Sequence, residues 1–379
     1  MIIQSSRVWF ANLFSPAQLV IEDGKIADIL PYGTRTPDQD YGDRRIVPGF
    51  IDVHTHGAYG FDTNDGDEAG LRNWIKRLPA DEGVTSFQPT TITQSPQVLE
   101  GALKNVVRVI ESSYEGAEVL GVHFEGPYLD QQYKGAQPTE YILDADLEQF
   151  KHYQEVAKGW IHYITLAPEH DKDYALTKWC TAHGVVVSMG HSAATYQQAL
   201  FGVAAGARSM THVFNGMTPF THRELGLAGS ALRFRDVYGE IICDGLHSKP
   251  EALNNFFTAK GPDYSVMISD SLRPKGLPIG DYESGGMKIR VYPDGSAHLV
   301  PQGNLAGSTL RINQGLQILV EKALVPFATA LNACTKNPAA LLRVDDRKGK
   351  LMTGYDADIV VLEDDYEICQ TYVRGRPAK

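Results

Sequence analysis

Eight short apolar runs rich in β-branched residues recur through the middle of this chain, at 50–53, 84–88, 119–124, 160–166, 185–189, 208–212, 238–243 and 264–268. Segments with helical patterning lie between several of them, at 68–78, 97–112, 145–157, 174–182, 194–205 and 251–260. Strands separated by helices are joined by crossovers rather than hairpins, and crossovers build a parallel sheet. Eight such units over about 250–300 residues predict an α/β fold of the (β/α)8 TIM-like barrel type, with chemistry gathered at the C-terminal strand ends. The seventh unit has the least regular pattern.

The two ends of the chain have a different texture. Residues 18–30 are two apolar runs joined at Asp23-Gly24, a hairpin signal, and short apolar runs return at 358–362 and 370–373. Each end alone is too short to bury a core. They are therefore expected to pair as one small β-sandwich domain, residues 1–47 plus 349–379, around a barrel spanning 48–348. A further hairpin, 287–292 and 297–300 around Pro293-Asp294-Gly295-Ser296, is expected as an insertion after the eighth strand, followed by helices at 310–323 and 326–334.

A length of 379 residues agrees with two units, since single cores stop growing near about 250–300 residues. The net charge of −11, without any basic run, argues against nucleic-acid or anionic-membrane partners. A small anionic substrate stays open, because an arginine and a few backbone N–H groups suffice for one phosphate. Cys180, Cys243, Cys334 and Cys369 are far apart and form no C-x-x-C pair, which fits a reducing compartment and offers no disulfide framework. The start carries no signal-peptide pattern and no apolar run approaches membrane-spanning length, so a cytoplasmic protein is expected.

The strand ends carry the chemistry. His54 and His56 follow the first run, Glu125 the third, His191 the fifth, His212 the sixth and Asp270 the eighth. Side chains alternate along a strand, so His54 and His56 share a face. A single histidine at a strand end is more often a hydrogen-bonded structural residue than a ligand. Four histidines and two carboxylates on one barrel rim instead predict a site for a divalent ion such as Zn²⁺, Fe²⁺, Mn²⁺ or Co²⁺. His123 shares its face with Glu125 and reads equally as a partner to the ligands or as packing.

Particular segments then point further. They are Pro48-Gly-Phe-Ile-Asp-Val-His-Thr-His-Gly57, Val122-His-Phe-Glu-Gly-Pro-Tyr128, Lys134-Gly-Ala-Gln137, Thr165-Leu-Ala-Pro-Glu169 and Gly190-His-Ser192. With them come Thr211-His-Val-Phe-Asn-Gly-Met217, Pro219-Phe-Thr-His-Arg223, Cys243-Asp-Gly-Leu-His247, Ile268-Ser-Asp270 and Leu305-Ala-Gly-Ser308. Over nearly its whole length the chain resembles the N-acetylglucosamine-6-phosphate deacetylase family of the amidohydrolase superfamily. The resemblance implies that Glu125, His191 and His212 hold a catalytic metal, and that His54 and His56 contribute to a second, giving one or two ions per subunit. Glu125 would replace the carboxylated lysine that other superfamily members carry on the fourth strand; here 160–166 contains no lysine.

The implied reaction is hydrolysis of the acetamide of N-acetyl-D-glucosamine 6-phosphate to D-glucosamine 6-phosphate and acetate, within amino-sugar catabolism. The metal acidifies water, and Asp270 takes that water's proton and returns it to the departing amine. The resemblance assigns Gln137, Leu305 and Ala306 to substrate contacts and Asn215, the Gly216 backbone and His247 to the sugar phosphate, joined there by Arg223 and His222 from a neighbouring subunit of a homodimer. Lys134-Gly135 is read as a loop over the pocket. Two positions depart from part of the family: Gln137 stands where some members have histidine, and Gly216 where alanine is more usual, an exchange expected to have little effect because the backbone N–H survives it. The motifs do not separate the galactosamine epimer as substrate; the missing fourth-strand lysine and His222-Arg223 argue against another amidohydrolase acting on N-acyl amino acids or cyclic amides, and the retained metal residues and Asp270 against a non-catalytic sugar-phosphate sensor.

Overall fold

In the computed structural model, which describes residues 1–378, every one of the eight runs is a strand. In chain order the barrel is β1 (Phe50–Thr55), α1 (Glu68–Glu82), β2 (Val84–Thr91), α2 (Pro96–Ile110), β3 (Val122–Glu125), α3 (Leu147–Val156), β4 (Ile161–Leu166) and α4 (Ala175–Ala182). It continues with β5 (Val186–Met189), α5 (Tyr196–Ala204), β6 (Ser209–Met210), α6 (Gly226–Arg233), β7 (Tyr238–Ile242), α7 (Pro250–Lys260) and β8 (Ser265–Ile268). Each strand pairs in parallel with the next. The seam between β8 and β1 is drawn together just past the strand ends, where Asp270 N–H donates to the His54 carbonyl (2.9 Å) and His56 N–H to that of Ser271 (2.8 Å). Three of the expected site residues therefore meet at the seam itself.

The strands are buried on both sides, as a barrel wrapped in helices requires, and the outward faces pack on Trp74, Leu103, Phe150 and Phe256 from the helices. Caps fix where the chain turns inward: Asp67 accepts from the N–H groups of Ala69 and Gly70, Asp146 from Glu148 and Gln149, and Thr195 forms a capping box with Gln198. Helix α6 was not expected from sequence. It starts uncapped at Gly226 (φ +54), where a Cβ would lie 2.7 Å from the Pro219 carbonyl oxygen, so close approach rather than helix propensity selects glycine.

The two ends join in one eight-stranded sheet, ordered Arg376–Pro377, Ile368–Val373, Ile359–Leu362, Arg45–Pro48, Ile2–Phe10, Leu13–Glu22 and Lys25–Pro31, with Gln39–Asp40 beside Ile2–Phe10. Ile3, Leu19, Ile26, Ile46, Ile359 and Val361 form its core. A partly buried ion cluster fastens this sheet to the barrel. Arg347 grips Glu118 with two bonds (2.7 and 3.0 Å), and Lys348 reaches both Glu118 (2.9 Å) and Asp358 (2.6 Å). Burial opposes the charge on Glu118, but Arg347 and Lys348 prevail and hold its carboxyl down at about 2, from an ordinary 4.5. Asp358 moves the other way, because its desolvation outweighs Lys348, so the net stabilisation belongs to Glu118. A lowered folded-state pKa stabilises above the ordinary value and loses effect as pH falls toward the lowered one. Glu118→Gln is expected to cost about 2–3 kcal/mol in urea unfolding at pH 7, with the deficit shrinking as pH drops from about 4.5 toward 2.

The insertion after β8 has three antiparallel strands rather than two: Gly280–Ser284, Met287–Val291 and Ala297–Leu299. Its apolar face packs Ile289, Val291 and Leu299 on Ile92, Leu272 and Ala306. That contact presents Leu305 and Ala306 at the rim.

Candidate active site

The strand ends enclose a cavity of about 150 Å³ lined by His56, Glu125, Gln137, His191, His212, Asn215, Gly216, His247, Asp270, Leu305 and Ala306, among others. His54 lies directly beneath, wholly buried, with its Nε2 3.3 Å from that of His56. The sequence-derived residues are thus brought together from the C-terminal sides of β1, β3, β5, β6, β7 and β8 and from the loops carrying Gln137 and Leu305 with Ala306, with two exceptions. His222 and Arg223 are exposed on the segment before α6 and do not line the cavity of their own chain.

Two groups that could hold a cation share one residue: His54, His56 and Glu125, and Glu125, His191 and His212, each with donor atoms mutually within 4.8 Å. The rings are aimed by their outer nitrogens. Nδ1 of His54 faces Glu240 (2.9 Å), that of His56 the Thr90 carbonyl (3.2 Å), that of His191 the Tyr133 carbonyl (2.9 Å) and that of His212 the Asn215 carbonyl (3.0 Å). A carbonyl only accepts, so these Nδ1 atoms carry the hydrogen and a neutral ring turns its Nε2 lone pair inward. His191 and His212 thereby oppose Nε2 to Nε2 at 3.1 Å. Glu125 Oε1 lies 3.3 to 3.4 Å from the Nε2 atoms of His54, His191 and His212 and, though buried, makes no hydrogen bond. Inward lone pairs around an orphaned carboxylate oxygen are repulsive unless positive charge sits among them. The donor set fits a divalent cation.

The carboxylates favour positive charge in this box in either form, as protons on the rings or as a cation between neutral ones. Burial alone would depress the imidazoles, yet Asp270 and Glu125 raise His56 to about 10, and Glu125 raises His212 to about 9. Burial likewise works against ionising Asp270, but His54, His56 and His212 hold it at about 2. Its Oδ1 is 3.2 Å from His56 Nε2, at the edge of the cavity. His191 (φ +47), His212 (φ +30) and Asp270 (φ +48) all take left-handed backbones. Such conformations are uncommon for residues with side chains and are retained where the surroundings enforce them. Here the enforcement at Asp270 is a web of hydroxyls: Ser269 bonds Asp52 (2.5 Å), Thr55 bonds Ser271 (2.7 Å), and Ser308 Oγ–H donates to the Ser269 carbonyl.

Other groups reach the cavity with part of their hydrogen-bonding capacity committed. Gln137 donates from Nε2 to Glu125 (2.7 Å) and accepts at Oε1 from Thr93 N–H (2.8 Å), which leaves one amide hydrogen for a ligand. His247 is held by Asp244 at Nδ1 (2.6 Å), freeing Nε2. Gly216 has φ +59, and a Cβ there would meet His191 Nδ1 at 3.0 Å and the Tyr133 carbonyl oxygen at 3.1 Å. Glycine lets this turn approach the bond that aims His191, so the exchange with alanine is not neutral here. His123 bonds the Val53 carbonyl (3.0 Å) and Thr165 (2.8 Å) inside the barrel, and burial pushes its pKa well down, so it packs as a neutral ring. A further group, Asp130, Glu169 and His170, differs from the main site. His170 is engaged by Asp130 and Asp144, and Glu169 by Ser192 and Ala193 N–H, so its polar atoms already have partners.

A parallel barrel with a histidine and carboxylate box at its C-terminal rim is the architecture of a metal-dependent hydrolase, and the family comparison agrees: residues 45–378 match the Amidohydrolase family, to which this chain belongs. It is 40% identical to the N-acetylglucosamine-6-phosphate deacetylase of Bacillus subtilis (strain 168), across 94% of this chain and 91% of that one. It is 33% identical to the N-acetylgalactosamine-6-phosphate deacetylase of Escherichia coli O157:H7, across 95% and 94%. Among solved structures, a mutant N-acetyl-D-glucosamine-6-phosphate deacetylase from Mycobacterium smegmatis in complex with N-acetyl-D-glucosamine-6-phosphate superposes with a TM-score of 0.93 at 26% identity, covering 100% of this chain and 99% of that one.

Proposed function

We propose that this protein hydrolyses N-acetyl-D-glucosamine 6-phosphate to D-glucosamine 6-phosphate and acetate, using a divalent cation held by Glu125, His191 and His212, with a second at His54 and His56. The observation that carries the chemistry is the box of inward-facing Nε2 atoms around the orphaned Glu125 oxygen, with Asp270 at its edge. The likeness to the Bacillus subtilis enzyme carries the substrate. A cation bound there supplies acidity to water and polarises a carbonyl. The chain's own residues do the rest. Asp270 takes a proton from the attacking water and passes it to the leaving nitrogen. The Gln137 amide and the His247 Nε2 orient the substrate, while Leu305 and Ala306 shield the cavity from bulk water.

The expected result is equimolar acetate and free amine from N-acetyl-D-glucosamine 6-phosphate, with a higher kcat/KM than on its galactosamine epimer. A preference for the epimer would reassign the substrate, and release from neither would sink the proposal. His222 and Arg223 support a homodimer: exposed on their own chain, they are free to reach a partner's cavity, where an arginine forks onto a phosphate. Arg223→Ala is then expected to raise KM for the 6-phosphate substrate by about 10–100-fold with little change in kcat. An unchanged KM would remove Arg223 from the site. The reducing environment suggested by four unpaired cysteines, with no described helix long and apolar enough to cross a membrane, supports a cytoplasmic location.

A further inference from the structure

The residue that aims His54 has no part in the proposed reaction. Glu240, on β7, is fully buried inside the barrel beneath the metal-binding box. Its Oε2 meets His54 Nδ1 at 2.9 Å, and its Oε1 accepts a short hydrogen bond from the hydroxyl of Tyr163 on β4. The arrangement spans the barrel interior, from β4 through β7 to β1. It also singles out one ligand. His56, His191 and His212 are each aimed by a backbone carbonyl, whereas His54 alone is aimed by a carboxylate.

We infer that Glu240 is a positioning residue that aims His54 and sets the cation affinity of the His54–His56–Glu125 group. The inference rests on the metal-dependent reading proposed above. A carboxylate behind an imidazole fixes its tautomer and raises the basicity of the inner nitrogen, and losing such a partner costs about 10–100-fold in metal affinity. Tyr163 completes the device. Burial and the adjacent Glu240 push its pKa well above the usual phenol value, so it donates and keeps the carboxylate turned toward His54.

The test is bound zinc per chain, measured by elemental analysis on wild type and Glu240→Gln equilibrated with Zn²⁺ in a chelator-buffered series. Wild type is expected to bind two equivalents. In Glu240→Gln one equivalent keeps its midpoint, and the midpoint of the other moves to about 10–100-fold higher free zinc. Two unchanged midpoints would overturn the inference, and so would a uniform weakening of both. A wild type that binds a single equivalent overturns the inference and the second cation while leaving the proposed hydrolysis standing on one; one that binds none overturns both. If Glu240→Gln does not fold, ¹⁵N-histidine NMR of the zinc-loaded wild type decides. The Nδ1 proton of His54 is expected farther downfield than those of His56, His191 and His212, and four indistinguishable shifts would refute the carboxylate's part.

Discussion

Asp270→Asn is expected to lower kcat by about 10³–10⁴-fold while leaving metal content and the unfolding midpoint near wild type. Asparagine is the informative substitution for a structural reason. Residue 270 has φ +48, which asparagine tolerates better than most residues, so the backbone web of Ser269, Ser271 and Ser308 survives. Alanine would mix loss of the base with backbone strain of order 1 kcal/mol. Asp270 touches His56 but belongs to neither shared-carboxylate group, so removing its charge takes away proton transfer rather than the ligand set. The pH-rate profile supplies a second readout. A residual rate in Asp270→Asn that follows hydroxide concentration would show that the proton acceptor is gone. Near-normal turnover would take Asp270 out of the mechanism.

Glu125→Gln should have the largest effect on the site as a whole. Glu125 is the one residue common to both groups of ligands, and its Oε1 faces three imidazole nitrogens without a hydrogen-bond donor of its own. Glutamine conserves volume and can still accept from Gln137 through its carbonyl, so the β3 end need not move. What it removes is the negative charge around which four imidazoles converge. Bound metal is expected to fall toward zero at both positions on elemental analysis. With it goes several kcal/mol of transition-state stabilisation, a loss of about 10³-fold or more in kcat/KM. A variant that kept the wild-type metal complement would contradict the shared-carboxylate account.

Much of this was legible in the sequence because the determinants are local and periodic. An apolar run followed by His-x-His has one sensible strand reading, and the alternation with helices gives the barrel. What stayed hidden was set by tertiary contacts. The acceptors that aim three of the histidines are backbone carbonyls of Thr90, Tyr133 and Asn215, and no side-chain spacing encodes them. The strand Gly280–Ser284 is half exposed with polar residues along it, so it lacks the apolar alternation that marks a strand. Helix α6 carries Gly226 and Gly229, which lower its propensity but admit close packing. Glu240 did leave a signal, a lone acidic residue in the apolar run 238–243, and burying it requires partners.

The measurement that most directly tests the account is acetate release from N-acetyl-D-glucosamine 6-phosphate by the purified protein, before and after chelator treatment and again after adding back a divalent ion. Release equal to the amine formed, lost with the metal and restored with it, is the predicted result. No release under any metal condition, or undiminished release from protein shown by elemental analysis to be metal-free, would contradict it.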